Sequence, residues 1–205
     1  SEACFNGDMI EQQIHNRYTA TQEYSKSSSD LADFLRNDFS AAFKKILTCS
    51  KQCWPGSFGL MLPENLQILS PSDFGFHNMA LTKKGLKFID FEYFGWDDPA
   101  KLTCDFLLHP GMELTERQKT LWLEKMKEIF FDNNFQQRVA ASYSLYGLCW
   151  CLILLNVFKL TSEDKKPGSP AESSEKSQIK AMRLEESRQM LKHIIYVNKQ
   201  GLLYE

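Results

Sequence analysis

Leu31, Phe34, Leu35, Phe39, Ala42, Phe43, Ile46 and Leu47 recur three or four positions apart, the spacing that lines one face of an α-helix. Ser28, Ser29 and Asp30 offer side-chain oxygens suited to a helix start, and Trp54-Pro55-Gly56 prevents continuation. An amphipathic helix is therefore predicted up to about Cys49. A second helix is predicted from Thr115, where Thr115-Glu116-Arg117-Gln118 reads as a capping box and Leu121, Trp122, Met126, Ile129 and Phe130 form an apolar stripe. Val139–Phe158 contains no charged residue and is long enough to span a bilayer, but Ser142, Ser144, Gly147 and Asn156 interrupt it, so a buried core helix is the expectation. A last helix is predicted over about Ile179–Val197. Thr161–Gln178, rich in Ser, Lys, Glu and Pro, cannot bury enough surface to order itself and is expected to be a mobile loop. Residues 1–27 show no assignable period.

From Gln67 the period shortens. Gln67–Leu69, Met79–Thr82 and Leu86–Phe91 read as short strands, the last two joined by Lys83-Lys84-Gly85, where glycine suits the positive φ of a hairpin turn. Ser70–His77 and Gly95–Pro99 read as loops. So few strands cannot make a core sheet. The pattern predicts one α+β domain over residues 1–205, mostly α, in which a small β-hairpin carries two loops.

Composition narrows the function classes. The 205 residues carry a net charge of −2 with both signs interspersed, so there is no broad basic field for nucleic acid, and no nucleic-acid or membrane partner is expected. The six cysteines form no Cys-x-x-Cys pair and there are only 4 His, which argues against a zinc site and for reduced thiols. Ser1–Asn16 is polar rather than a signal peptide, and a cytoplasmic location is expected.

The chemistry concentrates in Ser70-Pro71-Ser72-Asp73-Phe74-Gly75-Phe76-His77-Asn78 and in Phe88-Ile89-Asp90-Phe91-Glu92. Phosphoryl transfer explains each part of the pattern of an Asp, four residues, an Asn, a hairpin, then an Asp behind two apolar residues; the plain alternative is that Asp73 caps a turn, Asn78 ends it and Asp90 is an ordinary strand-end carboxylate. A carboxylate aligned with an acceptor hydroxyl takes its proton, a role for Asp73. An amide oxygen and a second carboxylate, from Asn78 and Asp90, suit a hard cation such as magnesium. Glu92, Asp97 and Asp98 add carboxylates, and Tyr93, Phe94 and Trp96 add aromatics, a mixture that suits a cationic substrate. The plainer expectation is that Asp98 caps the next helix and the aromatics pack between helices. His77 lies inside the spacer between Asp73 and Asn78.

Residues 67–106 resemble the catalytic and metal-binding segment of the aminoglycoside phosphotransferase and choline kinase-like superfamily, whose members share the protein-kinase fold. That family's loop reads His-Gly-Asp, four residues, Asn, followed by a hairpin, an Ile-Asp-Phe-Glu-like strand, a Gly-Asp-Pro turn and an Asp-Leu-Ala-like helix start. Gly95-Trp96-Asp97-Asp98-Pro99 matches the turn and Cys104-Asp105-Phe106-Leu107 the helix start. The resemblance implies Asp73 as catalytic base, Asn78 and Asp90 as Mg2+ ligands, ATP as phosphoryl donor, and Asp105 as a brace of the catalytic loop. Glu92, Trp96 and Asp97 are the candidate substrate contacts. An aminoglycoside, an amino sugar or a choline-like molecule is the substrate class implied.

Two positions depart from the family pattern. Pro71 stands where the family has His, and Ser72 where it has Gly. Before residue 67 there is neither a Gly-rich strand-turn-strand nor a Val-Ala-Ile-Lys-like strand. The chain is thus expected to be the helical C-terminal lobe of a longer kinase, lacking the ATP-covering lobe and having little activity alone. A non-catalytic, kinase-like binding module is the alternative.

Overall fold

The computed structural model describes the backbone of residues 2–159 and 170–201 and the side chains of 2–159 and 174–201. The protein is mostly helical with small antiparallel sheets, an α+β architecture dominated by α. It divides into two compact units: Ser1–Ile10 with Ser50–Tyr146, and Glu11–Cys49 with Gly147–Glu205.

Helix α1, Gly7–Ser25, lies where no period was readable. It buries few apolar side chains, chiefly Ile10 and Ile14, which is too sparse a stripe to stand out. Asn6 starts it by accepting a hydrogen bond from the Met9 amide at 2.8 Å. The second unit also contains α2, Ser29–Asp33, capped by Ser28 as expected. A π-helical stretch, Phe34–Phe39, then leads into α3, Ser40–Cys53. The predicted helix is thus real but not uniform: Ser40 donates to the carbonyl five residues back, at Leu35. Periodicity cannot reveal one wide turn. Leu31, Phe34, Leu35, Phe39, Ala42, Phe43 and Ile46 are all buried, as the apolar stripe predicted.

Helix α6 runs from Phe135 to Leu154 and continues as a 3-10 turn to Phe158. By length and composition Phe135–Phe158 could cross a membrane, but 78% of its apolar window is buried against the rest of the protein. The last helix, α7, spans Pro170–Gln200 and so begins well before Ile179. Residues 170–178 of the segment read as a mobile loop are helical, and the rest of it, 161–169, falls outside the described residues.

In the first unit, β1 (Ile68–Ser70) pairs antiparallel with β4 (Gly95–Asp97), joining Ile68 to Asp97 and Ser70 to Gly95. The sequence pattern marks Gly95–Asp97 as loop, and the structure makes it a strand. Its pairing partner is 25 or more residues away in sequence, so no local pattern marks it. The predicted hairpin forms from β2 (Met79–Thr82) and β3 (Gly85–Phe88), with Gly85 at φ 99° in the turn, but β3 ends at Phe88, short of the predicted Phe91, so Asp90 lies past the strand in a left-handed conformation. Helices α4 (Pro99–Leu108) and α5 (Glu116–Ile129) follow. The capping box is present: Thr115 Oγ accepts from the Gln118 amide at 3.3 Å and Gln118 Oε1 from the Thr115 amide at 2.8 Å.

Candidate functional site

The loop between β1 and β2 is held by aromatic packing. The Phe74 ring lies 5.6 Å from Phe88 of β3, 5.8 Å from Phe106 of α4 and 6.1 Å from Trp122 of α5, centroid to centroid. Phe106 and Trp122 stack at 3.8 Å, and the Trp122 indole donates to the Thr103 carbonyl. Each such ring pair contributes about 0.5–1.5 kcal/mol beyond its buried area. Gly75 allows the tight approach that follows, since a Cβ there would lie 2.6 Å from the His77 ring and 2.8 Å from the Met112 sulfur.

On this anchored loop Asn78 organises Asp73. Its Nδ2 donates to the Asp73 carbonyl at 2.9 Å and to Asp73 Oδ2 at 3.1 Å. Both amide hydrogens are thereby committed, leaving the Asn78 Oδ1 lone pairs as the part of the side chain open to a cation. The Asn78 carbonyl accepts from the Ile89 amide at 3.0 Å, which fixes Asp90 one residue away from a backbone tie to Asn78. Asp73, Asn78 and the backbone of Asp90 are therefore brought together by loop and hairpin, as the spacing predicted. Asp90 and Ser72 both take left-handed conformations, φ 62° and 61°. Aspartate tolerates this region, whereas serine is held there. The Ser72 hydroxyl donates to the Tyr93 carbonyl at 3.1 Å and its amide to Ser70 Oγ at 3.0 Å.

Two histidines flank the other side of Asp73. His77 Nε2 lies 3.1 Å from Asp73 Oδ1, and the His77 ring stacks on His109 at 4.3 Å. His109 was not singled out in the sequence; it ends α4, and only the fold brings it to the loop. Donor atoms of Asp73, His77 and His109 lie within 4.8 Å of one another, close enough to share a metal ion. The hydrogen bonding opposes that use. His109 Nδ1 accepts from the Gly111 amide at 3.0 Å, so in the neutral ring Nε2 carries the proton and has no lone pair to offer. Burial, and next the neighbouring His77, hold His109 below its ordinary pKa, which keeps it neutral. The arrangement is better suited to presenting N–H groups to the Asp73 carboxylate than to gripping a transition metal.

The remaining sequence candidates separate into two groups. Glu92 and Trp96 are exposed, and Tyr93 beside them has its pKa raised by a hydrogen bond from its hydroxyl to Glu92. Asp97 is only 1% exposed and belongs to a buried network, not to the surface where Glu92 and Trp96 stand. Its Oδ1 accepts from the Cys4 and Asp98 amides, and Lys101 Nζ stands 3.3 Å from its Oδ2 and 2.8 Å from Asp105 Oδ2. Burial pushes the Asp97 carboxyl up to about 6 against the pull of Lys101. Asp105 thus serves a lysine that sequence reasoning missed, although its i, i+4 spacing on either side was there to read. Asp98 caps α4 as the plainer reading expected and pairs with buried Arg138, whereas Tyr93, Phe94 and Trp96 are exposed rather than packed between helices.

The hairpin leaves an apolar surface. Leu81 is 86% exposed, and Leu86, Phe88, Ile89, Phe91 and Phe94 are each about half exposed, more than isolated surface residues require. No known family model matches the chain, nor does any curated protein or solved structure.

Proposed function

We propose that this chain is the helical lobe of an ATP-dependent phosphotransferase that acts on a small-molecule hydroxyl, with Asp73 as the base. The observation that carries this reading is the double donation of Asn78 Nδ2 to Asp73, with the Asn78 carbonyl tied to Ile89 beside Asp90. Asp73 offers a carboxylate half exposed to an incoming hydroxyl. It would take the proton as the hydroxyl oxygen attacks the γ-phosphorus of the nucleotide, whose bond to the β–γ bridging oxygen breaks so that the nucleoside diphosphate leaves, while His77 and Asn78 hold the carboxylate's orientation. The oxygen-rich pair Asn78 Oδ1 and Asp90 fits a magnesium ion, and these residues would hold it with the nucleotide phosphates. Bound there, magnesium would offset phosphate charge. Two further features support the reading. The left-handed Ser72 occupies the place where the resembling family has glycine, and the hairpin's apolar face suits a further lobe packed on it. Glu92 with Tyr93 and Trp96 offers a carboxylate among aromatics for a cationic substrate such as an amino sugar.

In a form of the protein that turns over, Asp73→Asn should lower turnover about 100- to 10,000-fold with nucleotide affinity largely kept. Asp90→Asn should instead weaken magnesium-dependent nucleotide binding. Near-normal turnover by the Asp73 variant, or unaltered magnesium dependence in the Asp90 variant, refutes the assignment. A non-catalytic binding module is favoured by one observation, the same exposed apolar face, and predicts no turnover in any form of the protein.

A further inference from the structure

The second unit contains a groove of about 460 Å³ between the Phe34–Ile46 stretch and α7, within the range typical of small-molecule sites. Its origin is visible in the sequence. Ala41 and Ala42 place two small side chains where larger ones would close the space, and the π-helical turn just before them widens the helix surface. Phe34, Ala42, Ile46 and Leu191 are buried and give the groove an apolar floor.

The rim is basic. Lys45, Lys192 and Lys199 line the groove, are exposed, and have no carboxylate partner among the described residues. Arg188 also lines it, but its charge is met by Asp38 at 2.8 Å and its guanidinium lies over the Phe34 ring at 5.1 Å. Asp38 is the single acid of the lining and is used by that pair. Three uncompensated cations over an apolar floor call for an occupant with an anionic head and an apolar body. The groove follows α7 from Arg188 to Lys199, about 16 Å at the helical rise, the span of a chain of roughly a dozen carbons. A narrow concave groove of this size fits a small molecule rather than a protein surface.

We propose that this groove is a binding site for a free medium-chain carboxylate, the tail on the Phe34–Leu191 floor and the head among Lys45, Lys192 and Lys199. The site is independent of the phosphotransfer reading. Calorimetry on the full 205-residue chain with dodecanoate, kept below its micelle concentration, tests it. Dodecanoate should bind saturably at one per chain, and its neutral methyl ester at least tenfold more weakly. Lys45→Glu with Lys192→Glu should cost at least tenfold for dodecanoate alone. Ala41→Trp, at an exposed position, should block both ligands while circular dichroism shows unchanged helix content. Leu81→Lys with Leu86→Lys on the hairpin should leave dodecanoate binding as it was. Absence of saturable binding, equal affinity for acid and ester, undiminished binding by a folded Ala41→Trp chain, or loss of binding in the hairpin variant overturns the proposal.

Discussion

Lys101 is a single side chain on which two carboxylates depend. Burial works against its charge, but Asp105 and Asp97 overcome that and raise its pKa, so it stays protonated. Asp97 is in the opposite position: burial raises it more than Lys101 lowers it. A carboxyl whose folded pKa is above its unfolded value binds more protons when folded, so its contribution to stability is present below about 3.8 and is lost as pH rises through about 6. Lys101→Met removes the counter-charge and leaves Asp97 buried alone. We expect a loss of about 3–5 kcal/mol near neutral pH by urea denaturation. Part of it should return on acidification, beginning above pH 6, because without the pull of Lys101 the Asp97 carboxyl takes up its proton at a higher pH than it does beside the lysine. A loss independent of pH between 4 and 7 would mean that the damage is packing and not the stranded carboxylate. The same scale shows what sequence could reveal of the site. Asp73, Asn78 and Asp90 lie within one short stretch whose hairpin can be read directly. His109 acts on a residue that only tertiary packing brings to it, whereas the partners of Lys101 stand four positions to either side; Asp97 and Asp98 look in sequence like the exposed Glu92 until burial marks both as structural carboxylates.

Among the elements, α4 begins with unusual firmness. Asp98 accepts from the Ala100 amide at 2.8 Å and from Arg138 at 2.9 Å, and Arg138 in turn grips Asp132 with two contacts at 3.1 Å. One carboxylate thus caps a helix and anchors α6 to it. Asp98→Ala loses both roles and should cost about 3–5 kcal/mol, the range for a broken buried pair, whereas Asp98→Asn keeps the cap acceptor and should cost less. Equal losses in the two variants, measured by denaturant midpoint, would show that the cap contributes nothing separate. Elements with local signals were legible: the Thr115 capping box, the Gly85 turn and the stripe from Leu31 to Ile46. Those set by non-local forces were not. Strand β4 exists because β1 is across from it, α1 because a few apolar contacts suffice once Asn6 caps it, and α7 extends to Pro170 through a stretch whose composition alone argued against order.

For the whole molecule, the six thiols are spread in a useful way. Cys4 and Cys104 are buried in the first unit, Cys149 and Cys151 in the second, Cys49 is half-buried and Cys53 is exposed. Burial pushes the Cys4 thiol up to about 12 and raises Cys104 and Cys151 as well. A thiolate-directed reagent therefore finds Cys53 at once and can reach the half-buried Cys49, but reaches the four buried thiols only when the backbone around them opens. Each unit carries its own chemical stopwatch. Pulsed labelling in mild denaturant, read by peptide mass spectrometry, should show Cys53 modified first, with Cys104 and Cys151 reacting at the opening rate of their respective units. One shared rate would mean that the chain opens as a single cooperative body, two rates that it opens in halves, and prompt labelling of Cys104 in native buffer would contradict its burial. The cysteines that close no disulfide in this fold would in this way time its coming apart.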